Sequence, residues 1–346
     1  MTIWDFSEGS EQRNLRSLVS QKNYRYPRLP KRASLGLRIV ASAVMLAVLL
    51  TRFPATDLQR WPDWRSESWL WLIASLFATL AAFGLAAIRW QEVCRTLGKP
   101  QKFADVCSYF LAGQFIGNFL PTTVGGDILR VSRMGTHIRD HSSAFASVVI
   151  ERLTGWVVLP LMTLLAFAFN PELVSTKGGK IAVGLAIGTL FLLSIAIYLA
   201  EHPRFGGRLR GNNSVTGSLA AVHRGLKIYR QVPSAMLRLL AAAIAFQVCL
   251  VIAVICTAIA IDIHLGPAVW FAFIPMVFIA QVLPVAIGGI GVREAALVLF
   301  LNDSGVSSGQ SVVLGLLIYA VTLLASLAGV PAFVLGARHL HSEAGI

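Results

Sequence analysis

The sequence predicts an all-α polytopic membrane protein with about six spanning helices and two re-entrant, broken helices in an inverted repeat. Three observations carry that fold class. Of the 346 residues, 55% are hydrophobic and only 14% charged, and mean hydropathy is +0.67. A soluble domain carries about a quarter charged residues. Uncharged runs at 153–171, 181–200, 239–261 and 304–337 reach the roughly 20 residues a bilayer span needs. Finally, the basic residues fall between the apolar runs, as the positive-inside rule requires. A soluble enzyme, a disulfide scaffold and a disordered tail protein are excluded.

Residues 1–34 are polar and basic with no apolar core, so no cleaved secretory signal is expected and they read as a cytoplasmic arm. The transmembrane domain is expected over 35–338, with spans near 35–53, 68–88, 143–169, 180–200, 236–261 and 309–336. A tail at 339–346 completes the chain. Net charge is +13, from 30 Lys and Arg against 17 Asp and Glu. Its placement suits anionic headgroups, and no nucleic-acid partner is expected. Cys94, Cys107, Cys249 and Cys256 form no C-x-x-C pair and read as small packing residues.

Two further apolar segments, 104–120 and 266–290, each run into a proline and then a glycine pair. Proline breaks the helical ladder and glycine permits a tight turn, so both segments are expected to re-enter on the side they start from. With both re-entrant, 24 of the 30 basic residues lie inside, in segments 1–38, 89–102, 130–152, 201–238 and the C-terminus. Both termini are then cytoplasmic, in the cell's inner membrane. The loop at 201–235 places Leu219, Val222, Leu226 and Tyr229 among basic residues. An amphipathic helix on the inner leaflet and a solvated basic linker both fit that pattern.

The broken segments match one another. Pro121 and Pro284, Gly125 and Gly288, Gly126 and Gly289, and Arg130 and Arg293 share one offset of 163 residues. Asn118 and Gln281 precede the two prolines, and Gly291 follows the second glycine pair. Entering from opposite faces, such segments form the inverted repeat with which transporters build a site near the midplane. Asp127, Arg130, Glu151, Arg152, Arg293 and Glu294 are charges at membrane depth, where each needs a partner, a cavity or the interface. Adjacent helical residues point about 100° apart, so Glu151 and Arg152 are expected to pair elsewhere, with the two motif loops as candidates. Asp127 and Glu151 are expected to serve function rather than folding. Arg130 and Arg293 are expected to grip a lipid phosphate at the two ends of one pathway.

Other chemistries find little support. The glycine pairs fit no nucleotide fingerprint. His137 and His141 have i,i+4 spacing but only Asp140 close by, so no metal or other cofactor is expected. No localised nucleophilic set argues for catalysis.

The motifs NFLPTTVGGDILR, ERLTGWVVLP and LPVAIGGIGVREAAL resemble those of the lysylphosphatidylglycerol synthase transmembrane family, over about residues 35–338. That family includes the flippase region of bacterial multiple-peptide-resistance proteins and many stand-alone relatives. The resemblance implies a membrane domain that moves lipids such as aminoacylated phosphatidylglycerol between leaflets. Larger members add a soluble aminoacyl-transferase domain. The sequence given stops at Ile346 without one, so the chain is not expected to synthesise the modified lipid. The leading expectation is therefore a flippase for anionic or aminoacylated phospholipids. A partner subunit of a lipid-modifying enzyme, or an enzyme of lipid or polyprenyl-glycan modification, remains the alternative, and a homo-oligomer is compatible with either.

Overall fold

The computed structural model describes residues 66–119, 125–201, 214–282 and 289–334. The basic arm, the span expected at 35–53, the 339–346 tail, Pro121, Pro284 and Gly288 lie outside the described residues. Within them the chain is all-α, and five helices are long and apolar enough to cross a bilayer. These are α1 (Ser66–Thr96), α4 (His141–Phe169), α6 (Lys177–Glu201), α8 (Pro233–Ala260) and α11 (Ser308–Ser326). Between them stand α2 (Phe103–Phe119), α3 (Gly125–Ile138), the short α5 (Glu172–Ser175), α7 (Ser214–Gln231), α9 (Pro267–Ala280) and α10 (Val292–Leu301).

The helix ends follow from local chemistry. Asp140 caps α4 by accepting the Ser143 N–H at 3.0 Å and the Ser143 hydroxyl at 2.7 Å. Ser307 and Gln310 form a reciprocal capping box at the start of α11. Proline opens α8 and α9 at the first turn, where its missing N–H costs nothing. Gly291, at φ 90°, sets the entry to α10 in a backbone region that other residues rarely adopt.

The breaks expected at the two proline-glycine segments fall on 120–124 and 283–288, outside the described residues; α2 ends at Phe119 and α9 at Ala280, and α3 starts at Gly125 and α10 at Val292. A 14-residue helix such as α9 is roughly 21 Å long, short of the roughly 30 Å hydrocarbon core. Helix α10, with 10 residues, is shorter still. α3 packs back on α2 at very close range. A methyl group on Gly126 would stand 2.3 Å from the Gly113 carbonyl oxygen, so only hydrogen fits at that crossing. Small residues let helix backbones approach where no hydrophobic force drives them together.

α1 and α8 run antiparallel. The Ser75 hydroxyl reaches the Ala253 carbonyl and Thr257 at 2.8 Å near one end, while Arg238 meets Glu92 at 2.7 Å near the other. Two apolar clusters result. One gathers α4, α6 and α8–α11 around Trp270, Phe273 and Phe300, with the Phe273 and Phe300 rings stacked at 5.7 Å. The other joins α1, α2, α3 and the start of α4 around Trp90, Phe110 and Met134. Large apolar side chains such as Phe77, Phe191 and Leu192 point outward, as suits lipid contact.

Two sequence expectations change. Residues 214–231 do form an amphipathic helix, α7, but Val222, Leu226 and Tyr229 of its apolar face pack on protein while Leu219 stays exposed. Ala221 and Val222 pack with Ala146 of α4, and Tyr229 packs with Val93 and Ile150, its hydroxyl pKa pushed up to about 12 chiefly by burial. The first described span also runs past residue 88 to Thr96, which moves Arg89 from a cytoplasmic loop into a helix.

Candidate functional site

Four of the charges expected at membrane depth, Asp127, Arg130, Glu151 and Arg152, join Arg89 in a ladder of alternating sign. Glu151, on α4, is 2% exposed and forms an ion pair with Arg89 of α1 through one carboxylate oxygen. Its other oxygen takes Arg130 Nη2 of α3 at 3.2 Å. Arg130 Nη1 lies 3.3 Å from Asp127 Oδ1, one turn earlier on α3. The second oxygen of Asp127 pairs with Arg152, whose side chain is 42% exposed. Glu151 and Arg152 thus diverge around the helix, as their adjacency dictates. Both find partners in the first motif, and among the described residues neither pairs with the second.

Aromatic rings complete the packing. The Arg130 guanidinium lies 4.2 Å from the Trp90 ring and 4.9 Å from that of Phe110. Arg89 lies 4.7 Å from the Phe246 ring. Rings attract a desolvated cation through their quadrupole and help to offset the loss of water. The second motif is more self-contained. Glu294 is fully buried, accepts the Gly291 N–H and pairs with Arg293 at 2.7 Å. Gly315 of α11 leaves room for it, since a methyl group there would come within 2.8 Å of the carboxylate. Arg293 also lies 5.3 Å from the Tyr319 ring.

The ladder and Arg293 line a cavity of about 350 Å³ to which both large apolar clusters contribute walls, while Glu294 stands outside the lining. Asn118, Gly126, Asp127, Arg130, Glu151, Arg152, Gln281 and Arg293 all reach it. Gly125 is buried in the first turn of α3. Gly289 and Gly291, both at positive φ, shape the turn into α10. The two motif arginines, expected at opposite ends of a pathway, share this one cavity. Sequence reasoning missed Arg89, Trp156, Phe246, Gln247 and Tyr319. Arg89 offered the one available signal, a cation at the end of an apolar run.

The lining carries four arginines against two carboxylates, Asp127 and Glu151, and with Glu294, which pairs with Arg293 from outside the lining, the formal excess is one positive charge. Among the described residues, Arg89 Nε and Nη1, Arg130 Nε and Asn118 Nδ2 are buried donors with no acceptor. Buried donors are nearly always satisfied in native proteins, so such a cluster at a cavity fits an oxyanion ligand. His137 instead meets the Tyr109 hydroxyl at 3.3 Å. No group of metal-ligating side chains is assembled among the described residues.

The model of the lysylphosphatidylglycerol synthase transmembrane region matches residues 35–329. The chain belongs to that family. No curated protein matches it. In this member of the lysylphosphatidylglycerol synthase transmembrane family, the matched region contains the ladder, both proline-glycine motifs and every described residue that lines the cavity.

Proposed function

We propose that the chain is a lipid flippase that carries a phospholipid headgroup through the charged cavity while the acyl chains stay in the bilayer. The observation that carries this reading is the excess of arginine over carboxylate around a cavity with unsatisfied donors. A guanidinium can hold a phosphate through two parallel N–H bonds, which suits these side chains to an anionic or aminoacylated phospholipid. The outward apolar faces and the family's lipid-related name add support.

In the same reading the two broken hairpins are halves of an inverted repeat, and both termini lie on the cytoplasmic side of the cell membrane. The sequence carries no Walker-type nucleotide loop, so movement is downhill or ion-coupled. The family's association with a synthase favours one second reading, a membrane partner for a lipid-modifying enzyme.

Leaflet-resolved lipid movement in proteoliposomes, run with a panel of headgroups, separates the two. Accelerated exchange of one phospholipid class is expected. Rates equal to protein-free vesicles for every headgroup would favour the partner reading.

A further inference from the structure

Donor accounting separates the four cavity arginines. Arg130 commits both terminal nitrogens to carboxylates and lies close to the Trp90 and Phe110 rings. Arg293 gives Nε and Nη2 to Glu294. Arg152 is the most exposed, at the ladder's end. Arg89 is different. It is 5% exposed, uses Nη2 on Glu151, and leaves Nη1 and Nε without an acceptor among the described residues. Gly155 of α4 stands beside Nη1, and a methyl group there would make a tight 3.2 Å contact with that nitrogen. Arg89 and Gly155 both line the cavity.

We infer that Arg89 is the principal oxyanion-binding residue of the cavity, with Glu151 as its positioning residue and Gly155 as the residue that keeps the acceptor position open. The ligand chemistry is a phosphate-type oxyanion, supplied by a lipid headgroup or by free phosphate. This rests on reading the cavity as a headgroup site, and it adds a residue outside both repeat motifs. Glu151 holds the guanidinium by one edge and so fixes which donors face the ligand. A lysine would keep the charge beside Glu151 but lose the planar set of donors.

The test is direct binding to the purified full chain in detergent. The probes are dihexanoyl phosphatidylglycerol, inorganic phosphate, and dihexanoylglycerol as the phosphate-free control. Arg89→Lys and Gly155→Ala are compared with the parent, with thermal unfolding confirming that each folds. Gly155→Ala leaves every charge in place, so it reports on the acceptor position even if Arg89→Lys is poorly folded. Both variants are expected to bind the phosphate-bearing probe about tenfold more weakly or worse, the loss of a charge-assisted hydrogen bond. The control should bind all three proteins alike. A lipid-specific loss identifies the headgroup as the source, and an equal loss for inorganic phosphate identifies the free ion.

Parent-like affinity in both variants for both probes, or no binding of either probe by the parent, would overturn the assignment. Lipid movement in the same preparation keeps the two readings apart. Movement by the parent with unchanged binding in both variants removes Arg89 alone. Weakened binding with no movement by the parent removes translocation alone.

Discussion

Glu151 holds Arg130 at 3.2 Å on one carboxylate oxygen and Arg89 on the other, tying α4 to both α3 and α1. The carboxylate is therefore the counter-ion around which the first half of the site is assembled. Removing one member of a buried pair leaves its partner uncompensated, at a cost of about 3–5 kcal/mol. Glu151→Gln is expected to lower thermal stability in detergent by an amount approaching that range, and to reduce lipid movement per folded molecule. Asp127→Asn should cost less stability, because its carboxylate is 13% exposed and its second partner, Arg152, is half-exposed, while still impairing movement. Equal melting temperatures for the two variants would contradict this ranking.

The crossing of α2 over α3 makes a second expectation. A methyl group on Gly126 would collide with the Gly113 backbone, whereas one on Gly84 meets nothing within 4 Å. Gly126→Ala should destabilise by about 1–3 kcal/mol through forced separation of the hairpin. Gly84→Ala should be neutral or stabilising, since alanine favours the helix over glycine by up to about 1 kcal/mol. Thermal unfolding of the two variants side by side checks the contrast.

Asp140 lies outside the spanning segments and sets a pH dependence. Its carboxyl is held below the ordinary value of 3.8 by the hydrogen bonds from Ser143, aided by Lys99, whose ammonium lies 3.6 Å away. A depressed folded-state pKa contributes stability that is complete above the unfolded value and is lost as pH falls through the folded one. The cap is therefore expected to hold at neutral pH and to weaken below about pH 4. Asp140→Ala should cost about 1 kcal/mol at pH 7 and little at the acid end. Asp140→Asn should keep the cap without that pH dependence. Unfolding measured from pH 3 to 7 distinguishes the three proteins.

The fold class was legible because hydrophobic run length is a local signal. The pairing of Glu151 and Arg152 away from each other followed from helical geometry alone. Arg89 was not legible as a site residue. At the end of an apolar run a cation reads equally well as the first charge of a loop, and only the continuation of α1 to Thr96 buries it. The destination of α7's apolar face was also hidden. Val222 and Tyr229 show the same spacing whether they meet lipid or α4, and that choice is made by tertiary packing. The pairing of Arg293 with Glu294 lay within sequence reach, but its place on the same cavity as Arg130 depends on tertiary packing that brings together residues 163 positions apart.

The central claim is that the cavity arginines grip a lipid phosphate during movement between leaflets. Leaflet-resolved phospholipid exchange in proteoliposomes, comparing the parent with Arg130→Lys and Arg293→Lys at matched amounts of folded protein, tests it most directly. Each lysine keeps a positive charge beside its carboxylate partner while removing the planar set of donors that a guanidinium presents. The expected result is clear exchange by the parent and a substantially slower rate in both variants. Exchange at the parent's rate in both variants would remove phosphate gripping by the motif arginines, and its absence in the parent would remove translocation itself.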